Sequence, residues 1–139
     1  MSSHERTGWR DMAISQRHRL YGYDCPMFDI DFMCVEYDKS MPVCLVEYKN
    51  IKGQLNVDSA NIKALINLGN MTNLPAFAAL YVDDFSYYLV YGLNELAKVC
   101  FGDLKIVSEV EWVEFLYKLR GKNAPNIILR SLNGFKGYQ

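Results

Sequence analysis

Apolar and polar positions along the chain form alternating strand-like and helix-like segments. Two runs rich in β-branched and aromatic residues, at 28–37 and 43–49, flank a turn-forming stretch at 38–42. This short connection predicts an antiparallel β-hairpin. Two further apolar runs, at 76–82 and 86–93, predict a third and a fourth strand joined by a tight turn.

Three other segments show the helical spacing of apolar residues. The first spans 9–21 and is polar, and the second spans about 58–68 and ends at Gly69. The last helix begins at Ser108, three residues before Glu111, a spacing typical of a capping box. The order α-β-β-α-β-β-α predicts an α/β (α+β) fold, in which helices flank a central mixed sheet that contains the hairpin.

The chain length of 139 residues favours a single compact domain, residues 1–139, with one hydrophobic core. No apolar run approaches the roughly 18 residues of a membrane span. The first residues also lack the apolar segment of a signal peptide, so we expect a cytoplasmic protein with no membrane partner. The cysteines form no Cys-x-x-Cys pair, which predicts buried free thiols rather than a zinc site.

The distribution of charge is more informative than its sum. The formal net charge is −1, but both ends of the chain are basic and the central part, 21–104, is acidic. This distribution suits an anionic polymer held at the edges of the domain and a cation held in its middle. Ordinary surface charge explains the same pattern, so the charge distribution alone does not identify a nucleic-acid-binding protein.

Acidic and basic side chains meet on the predicted hairpin. Because side chains alternate along a strand, Glu47 and Lys49 share one face of the second strand. With the longer turn, Tyr37 pairs with Val43, and Asp31 lies opposite Lys49. A tighter turn places Asp31 directly opposite Glu47 instead. Either register brings two carboxylates and one ammonium group within the reach of cross-strand neighbours.

Two carboxylates at such close range raise each other's pKa unless a cation lies between them. Mg²⁺ favours such a site, because it binds one or two carboxylates, several waters and a phosphate oxygen of a substrate. The metal acidifies a bound water, and a neighbouring lysine orients that water or stabilises charge on the phosphate. The hairpin residues therefore fit the hydrolysis of a phosphodiester.

An aspartate on one strand, followed by a strand that ends in Glu47-Tyr48-Lys49, resembles the signature of the PD-(D/E)XK nucleases. The order of helix, hairpin, helix, further strands and helix is also similar to the core of that family. The resemblance implies a restriction-endonuclease-like fold and metal-dependent cleavage of DNA. It also implies that Asp31 and Glu47 hold Mg²⁺ or Mn²⁺ while Lys49 assists the attacking water.

The aspartate departs from the family pattern in two ways. Ile30 stands where the family has a proline before the aspartate, and Asp29 competes with Asp31 for the same role. We favour Asp31, because the register places it nearer Lys49. Asp29 is then either a second metal ligand or a cap at the start of the strand.

Four residues outside the hairpin are candidates for contacts with nucleic acid. Arg17 and Arg19 of the first helix are suited to contact phosphates, and His18 of the same helix to face the site. Lys63 of the second helix is suited to meet the backbone phosphates. The alternative for each of the four is a place on a solvated helix surface.

Three functions remain open from the sequence. The first is a Mg²⁺- or Mn²⁺-dependent endonuclease that acts on DNA, with which a homodimer is compatible. The second is a non-cleaving module of the same fold that binds nucleic acid or protein. The third is a structural salt-bridge network. It is less attractive because exposed ion pairs stabilise a fold only weakly and buried ion pairs can destabilise it. The complete set of two acids and a lysine favours the endonuclease.

Overall fold

The computed structural model describes residues 12–22, 24 and 30–136. In this part of the chain the strands are β1 (Phe32–Glu36), β2 (Met41–Asn50), β3 (Ala76–Tyr81), β4 (Tyr88–Gly92) and β5 (Leu104–Val107). The helices are α1 (Met12–Leu20), α2 (Ala60–Thr72), α3 (Glu95–Cys100), α4 (Glu109–Leu119) and α5 (Asn126–Leu129).

The five strands form one mixed sheet in the order β1-β2-β3-β4-β5. β2 and β3 run parallel, whereas the other neighbouring strands run antiparallel. A parallel pair needs a crossover connection, and α2 supplies it between β2 and β3. The predicted fold class is thereby confirmed, since a single α+β domain has a central mixed sheet flanked by helices.

The two faces of the sheet pack against different helices. On one face, Val46 and Phe77 pack around Trp112 of α4, which is 1% exposed. Truncation of such a buried tryptophan to alanine destabilises a protein by about 3–5 kcal/mol. On the other face, Leu45 of β2 packs with Leu65 of α2. The core is therefore divided into two layers by the sheet.

The Glu-x-Lys segment of β2 lies across these two layers. Glu47 and Lys49 lie on the same face as Leu45, and both are half-buried. Tyr48 points to the opposite face, where Trp112 Nε1 donates a hydrogen bond to its Oη at 2.9 Å. Burial raises the pKa of Tyr48 to about 12, so its hydroxyl stays protonated. This contact fixes the middle of the segment to the core.

The crossover helix α2 begins as predicted but ends later. Ser59 is its N-cap, and the Ser59 side chain accepts a hydrogen bond from the Ile62 N–H at 3.3 Å. The helix continues past Gly69 to Thr72, and its C-cap is Asn73, whose φ of 61° is left-handed. A Cβ on Gly69 would lie 2.7 Å from Asn94 Nδ2 and 2.8 Å from Leu74 O. Gly69 therefore permits close packing, and its prediction as a helix terminator is wrong.

The region between β4 and α4 contains two elements that the sequence did not predict. Asn94 is the N-cap of α3, and its Oδ1 accepts hydrogen bonds from the N–H groups of Ala97 at 3.0 Å and Ala76 at 3.1 Å. β5 follows α3 and pairs with β4. The capping box of Ser108 and Glu111 at the start of α4 is confirmed.

Among the described residues, no helix is both long enough and apolar enough to span a bilayer. The longest described helices, α2 and α4, contain 13 and 11 residues. A membrane-spanning helix needs about 20 residues.

Candidate metal site on the hairpin

The register of the hairpin decides which acidic residues face each other. Phe32 pairs with Val46 and Cys34 with Cys44, and continuing this register by one residue places Asp31 opposite Glu47. The register that pairs Tyr37 with Val43 is therefore wrong, and the tighter turn is the one that forms. Its physical basis is a short 3₁₀ turn over Tyr37–Lys39 followed by Ser40, whose φ is 53°.

Asp31 lies immediately before β1 and is tied to β2 through its side chain. Its Oδ2 accepts a hydrogen bond from the Tyr48 backbone N–H at 3.1 Å. The strand pairing of β1 begins only at Phe32, so the carboxylate continues the hydrogen bonding at the open end of the hairpin. This contact holds the Asp31 carboxylate beside the Glu-x-Lys segment.

Glu47 is electrostatically coupled to both of its neighbours. Burial raises the pKa of the Glu47 carboxyl group above its ordinary value, and the negative charge of Asp31 raises it further. The positive charge of Lys49 acts in the opposite direction. The net shift is upward because burial and the charge of Asp31 together outweigh the charge of Lys49. An additional cation at this point would favour the ionised form of Glu47.

The donor set of the hairpin fits Mg²⁺ or Mn²⁺ better than Zn²⁺. Within residues 12–22, 24 and 30–136, no group of three or more His, Cys, Asp or Glu side chains is arranged to hold a metal. Structural and catalytic zinc sites need three or four such ligands. Mg²⁺ needs only one or two carboxylates, because it keeps several of its waters. Asp29 lies outside the described residues, so its role as a further ligand stays a prediction.

A second polar cluster at the end of β2 was not found from the sequence. Asp83, in the turn between β3 and β4, accepts hydrogen bonds from Asn50 Nδ2 and Lys52 Nζ, each at 2.7 Å. Asp84 stabilises the tight turn that was predicted between these strands, since its Oδ1 accepts a hydrogen bond from the Ser86 N–H at 3.0 Å. No short-range pattern signals the contacts of Asp83, because more than 30 residues separate the partners.

The four predicted nucleic-acid-binding residues lie on α1 and α2. Arg17, Arg19 and Lys63 are exposed, and none of them forms a salt bridge with another described residue. His18 is half-buried and packs edge-on against Tyr21, with 4.9 Å between ring centroids. The His18 Nδ1 atom is buried and has no hydrogen-bond partner among the residues that the structure describes.

Comparisons with known proteins identify no relative of this chain. No family model, curated protein or solved structure gives a significant match to the chain. The residues of the hairpin and their geometry are therefore the basis on which a function can be assigned.

Proposed function

We propose that the protein is a metal-dependent nuclease that hydrolyses phosphodiester bonds of DNA. The observation that supports this most directly is the register of the hairpin, which sets Asp31 opposite Glu47 while Lys49 follows on the same face. The resemblance to the PD-(D/E)XK nucleases, including a restriction-endonuclease-like fold, belongs to the same proposal. So does a reducing, cytoplasmic setting, in which free thiols persist.

Each residue of the set has a distinct chemical part in this proposal. Asp31 and Glu47 hold Mg²⁺ or Mn²⁺, and cation binding offsets the burial and the repulsion from Asp31 that together raise the pKa of Glu47. The bound metal supplies Lewis acidity toward a water and a phosphate oxygen. Lys49 orients the attacking water or stabilises the negative charge that develops on the phosphate. Tyr48 keeps this geometry through its contacts with Asp31 and Trp112.

The DNA contacts of the proposal involve α1 and α2. The exposed side chains of Arg17, Arg19 and Lys63 have no competing ion pair among the described residues, which leaves them available for phosphates. The half-buried imidazole of His18 is the fourth candidate. A homodimer would present two copies of this surface and two hairpin sites to a duplex.

The test is DNA cleavage by the purified protein in Mg²⁺, Mn²⁺ or EDTA. The substrates are supercoiled plasmid, single strands and a four-way junction, and the variants are Glu47→Ala and Lys49→Ala. The exposed residues Glu114 and Lys118 of α4 provide matched controls, Glu114→Ala and Lys118→Ala. We expect metal-dependent cleavage that only the hairpin variants lose.

The outcomes separate the nuclease from its alternatives. Wild-type protein that binds Mn²⁺ and DNA without cleavage would replace the nuclease with a non-cleaving binding module of the same fold. Wild-type protein that binds neither metal nor DNA would leave the hairpin cluster as a structural feature. Equal loss of cleavage in the α4 controls would show that the substitutions act through stability and not through the site.

A further inference from the structure

Two cysteines face each other across the hairpin, on the sheet face opposite to Glu47. Cys34 of β1 and Cys44 of β2 are direct Cα partners in the antiparallel register. Directly opposed residues in such a pair have Cα atoms about 4.5–5.5 Å apart, and their side chains point to the same face. Disulfides form at Cα separations of about 4.4–6.8 Å. The backbone therefore already meets the distance requirement of a disulfide.

The two thiols differ in exposure. Cys44 is 0% exposed and belongs to the core around Trp112, whereas Cys34, on the edge strand, is half-buried. An external reagent therefore reaches Cys34 first. The buried Cys44 is placed to react with Cys34 from inside the protein, after Cys34 has reacted with the reagent.

The electrostatic surroundings make Cys34 the more reactive of the two. The pKa of Cys34 is lowered to about 7, chiefly by the hydrogen bond from Cys44. Burial opposes this shift, whereas the charge of Arg120 and the hydrogen bond from the Val35 N–H add to it. The same hydrogen bond and burial raise the pKa of Cys44. The thiolate is the reacting form in disulfide exchange, and a pKa near the ambient pH favours that reaction.

We propose that Cys34 and Cys44 are a redox modification site, at which a small-molecule disulfide oxidises the pair to a reversible cross-strand disulfide. The Cys34 thiolate attacks one sulfur of the reagent, which forms a mixed disulfide and releases one thiolate. The Cys44 sulfur then attacks the Cys34 sulfur and releases the second thiolate, which takes up the Cys44 proton. The pair loses two electrons, and the reagent is reduced to two thiols.

The position of this pair connects it to the hairpin register. The strand register shifts between Cys34 and Val35, so the cysteines form the last pair before that irregularity. A covalent bond at this pair would fix the register that sets Asp31 opposite Glu47. The exchange chemistry itself does not depend on the proposed nuclease activity, and its test needs no substrate.

The test treats the reduced, folded protein with oxidised glutathione, blocks the remaining thiols with N-ethylmaleimide and maps the peptides by mass spectrometry. We expect a peptide pair linked through Cys34 and Cys44, with the loss of two hydrogens and no retained glutathione. Cys44→Ser should stop at a glutathione adduct on Cys34, because the second thiol is absent. Cys34→Ser should yield neither product.

Cys100 is the internal control, since it is exposed and is not the strand partner of either hairpin cysteine; its thiol donates a hydrogen bond to the Ala97 carbonyl oxygen at 3.7 Å. Folded wild-type protein that acquires adducts on Cys100 but keeps Cys34 and Cys44 reduced would overturn the proposal. A disulfide from Cys34 to any other cysteine would also overturn it. The wild-type map gives this answer even if the Cys44→Ser protein does not fold.

Discussion

The two ends of the β1–β2 hairpin hold glutamates in opposite electrostatic surroundings. At the turn end, Glu36 is 6% exposed, yet its carboxylate is fully matched by donors. Its Oε1 lies 3.1 Å from Lys122 Nζ and 3.4 Å from Arg120 Nη2. Its Oε2 accepts the Asp38 N–H at 2.9 Å. At the open end, by contrast, Glu47 faces a second carboxylate.

This difference appears directly in the pKa of the two groups. Burial alone would raise the pKa of Glu36, but the hydrogen bond and charge of Lys122 lower it below its ordinary value. Burial and the charge of Asp31 raise the pKa of Glu47, and Lys49 only partly opposes them. Glu36 is matched by donors within the fold, whereas no hydrogen bond or salt bridge to the Glu47 carboxylate forms among residues 12–22, 24 and 30–136. This difference supports the proposed metal site at the open end of the hairpin.

The substitution Glu47→Gln should give the largest effect and separate function from stability. We expect cleavage to fall by about 100-fold or more, because the amide is a poorer metal ligand and removes one charge from the site. Thermal stability at neutral pH should stay equal or increase. A carboxyl group whose folded pKa is raised favours the native state only at low pH, so its ionised form is unfavourable at neutral pH.

Cleavage rates and Tm, measured as a function of pH, check both parts. The Tm difference between Glu47→Gln and wild type should disappear as the pH falls below the ordinary glutamate pKa of 4.5. A variant that loses both activity and Tm at neutral pH would contradict the assignment of Glu47 to a site. Such a result would make the open end a structural ion-pair network like the turn end.

The matched substitution Glu36→Gln should have the opposite profile. It leaves Arg120 and Lys122 without their buried carboxylate, so we expect Tm to fall by several degrees at neutral pH while metal binding is retained. A lowered folded pKa stabilises the native state above the unfolded value of 4.5, and that stability is lost as the pH falls through the folded pKa. The Tm difference should therefore shrink below that pH.

The substitution Glu114→Gln is the control for this measurement, because Glu114 of α4 is exposed to solvent. Its Tm should equal that of wild type across the same pH range. An unchanged Tm for Glu36→Gln would show that the paired carboxylate at the turn end does not stabilise the hairpin. The claim that the two ends of the hairpin differ because Glu36 serves stability would then be wrong.

The two ends also differ in how far the sequence predicts them. The acid pair and the lysine at the open end follow from strand alternation within 20 residues, and so does the antiparallel hairpin. The partners of Glu36 lie 84 residues away for Arg120 and further for Lys122, and no local pattern connects them. The hairpin register depended on a 3₁₀ turn that residue types alone did not specify.

Short and exposed elements account for the remaining errors. β5 has four residues and three of them are exposed, so no alternation of buried and exposed positions identifies it. α3 has six residues and depends on the buried side chain of Asn94. The short helix α5 was not predicted either, since it has four residues and only Leu129 among them is buried. By contrast, the capping box of Ser108 and Glu111 at the start of α4 is a local signal, and its prediction is confirmed.

A smaller effect should follow from Asp31→Asn, measured as the pKa of Glu47 by NMR titration of its carboxyl carbon. We expect that pKa to fall, because one negative charge is removed, and to stay above its ordinary value, because burial is the larger cause. Lys49→Ala should shift the same pKa upward. If neither substitution moves it, the carboxylates do not share a site, and the proposed metal position is wrong.

The smallest change in Tm is expected for a substitution of Lys52. Its ion pair with Asp83 is exposed to solvent, unlike the buried pairs of Glu36. The Nζ–Oδ2 distance is 2.7 Å, but the two side chains are 77% and 65% exposed. Solvent screens such a pair, so Lys52→Met should change Tm by no more than about 2 °C. A larger loss, similar to that of Glu36→Gln, would mean that short distance and not burial makes a carboxylate structural. The contrast between the two ends of the hairpin would then need a different physical explanation.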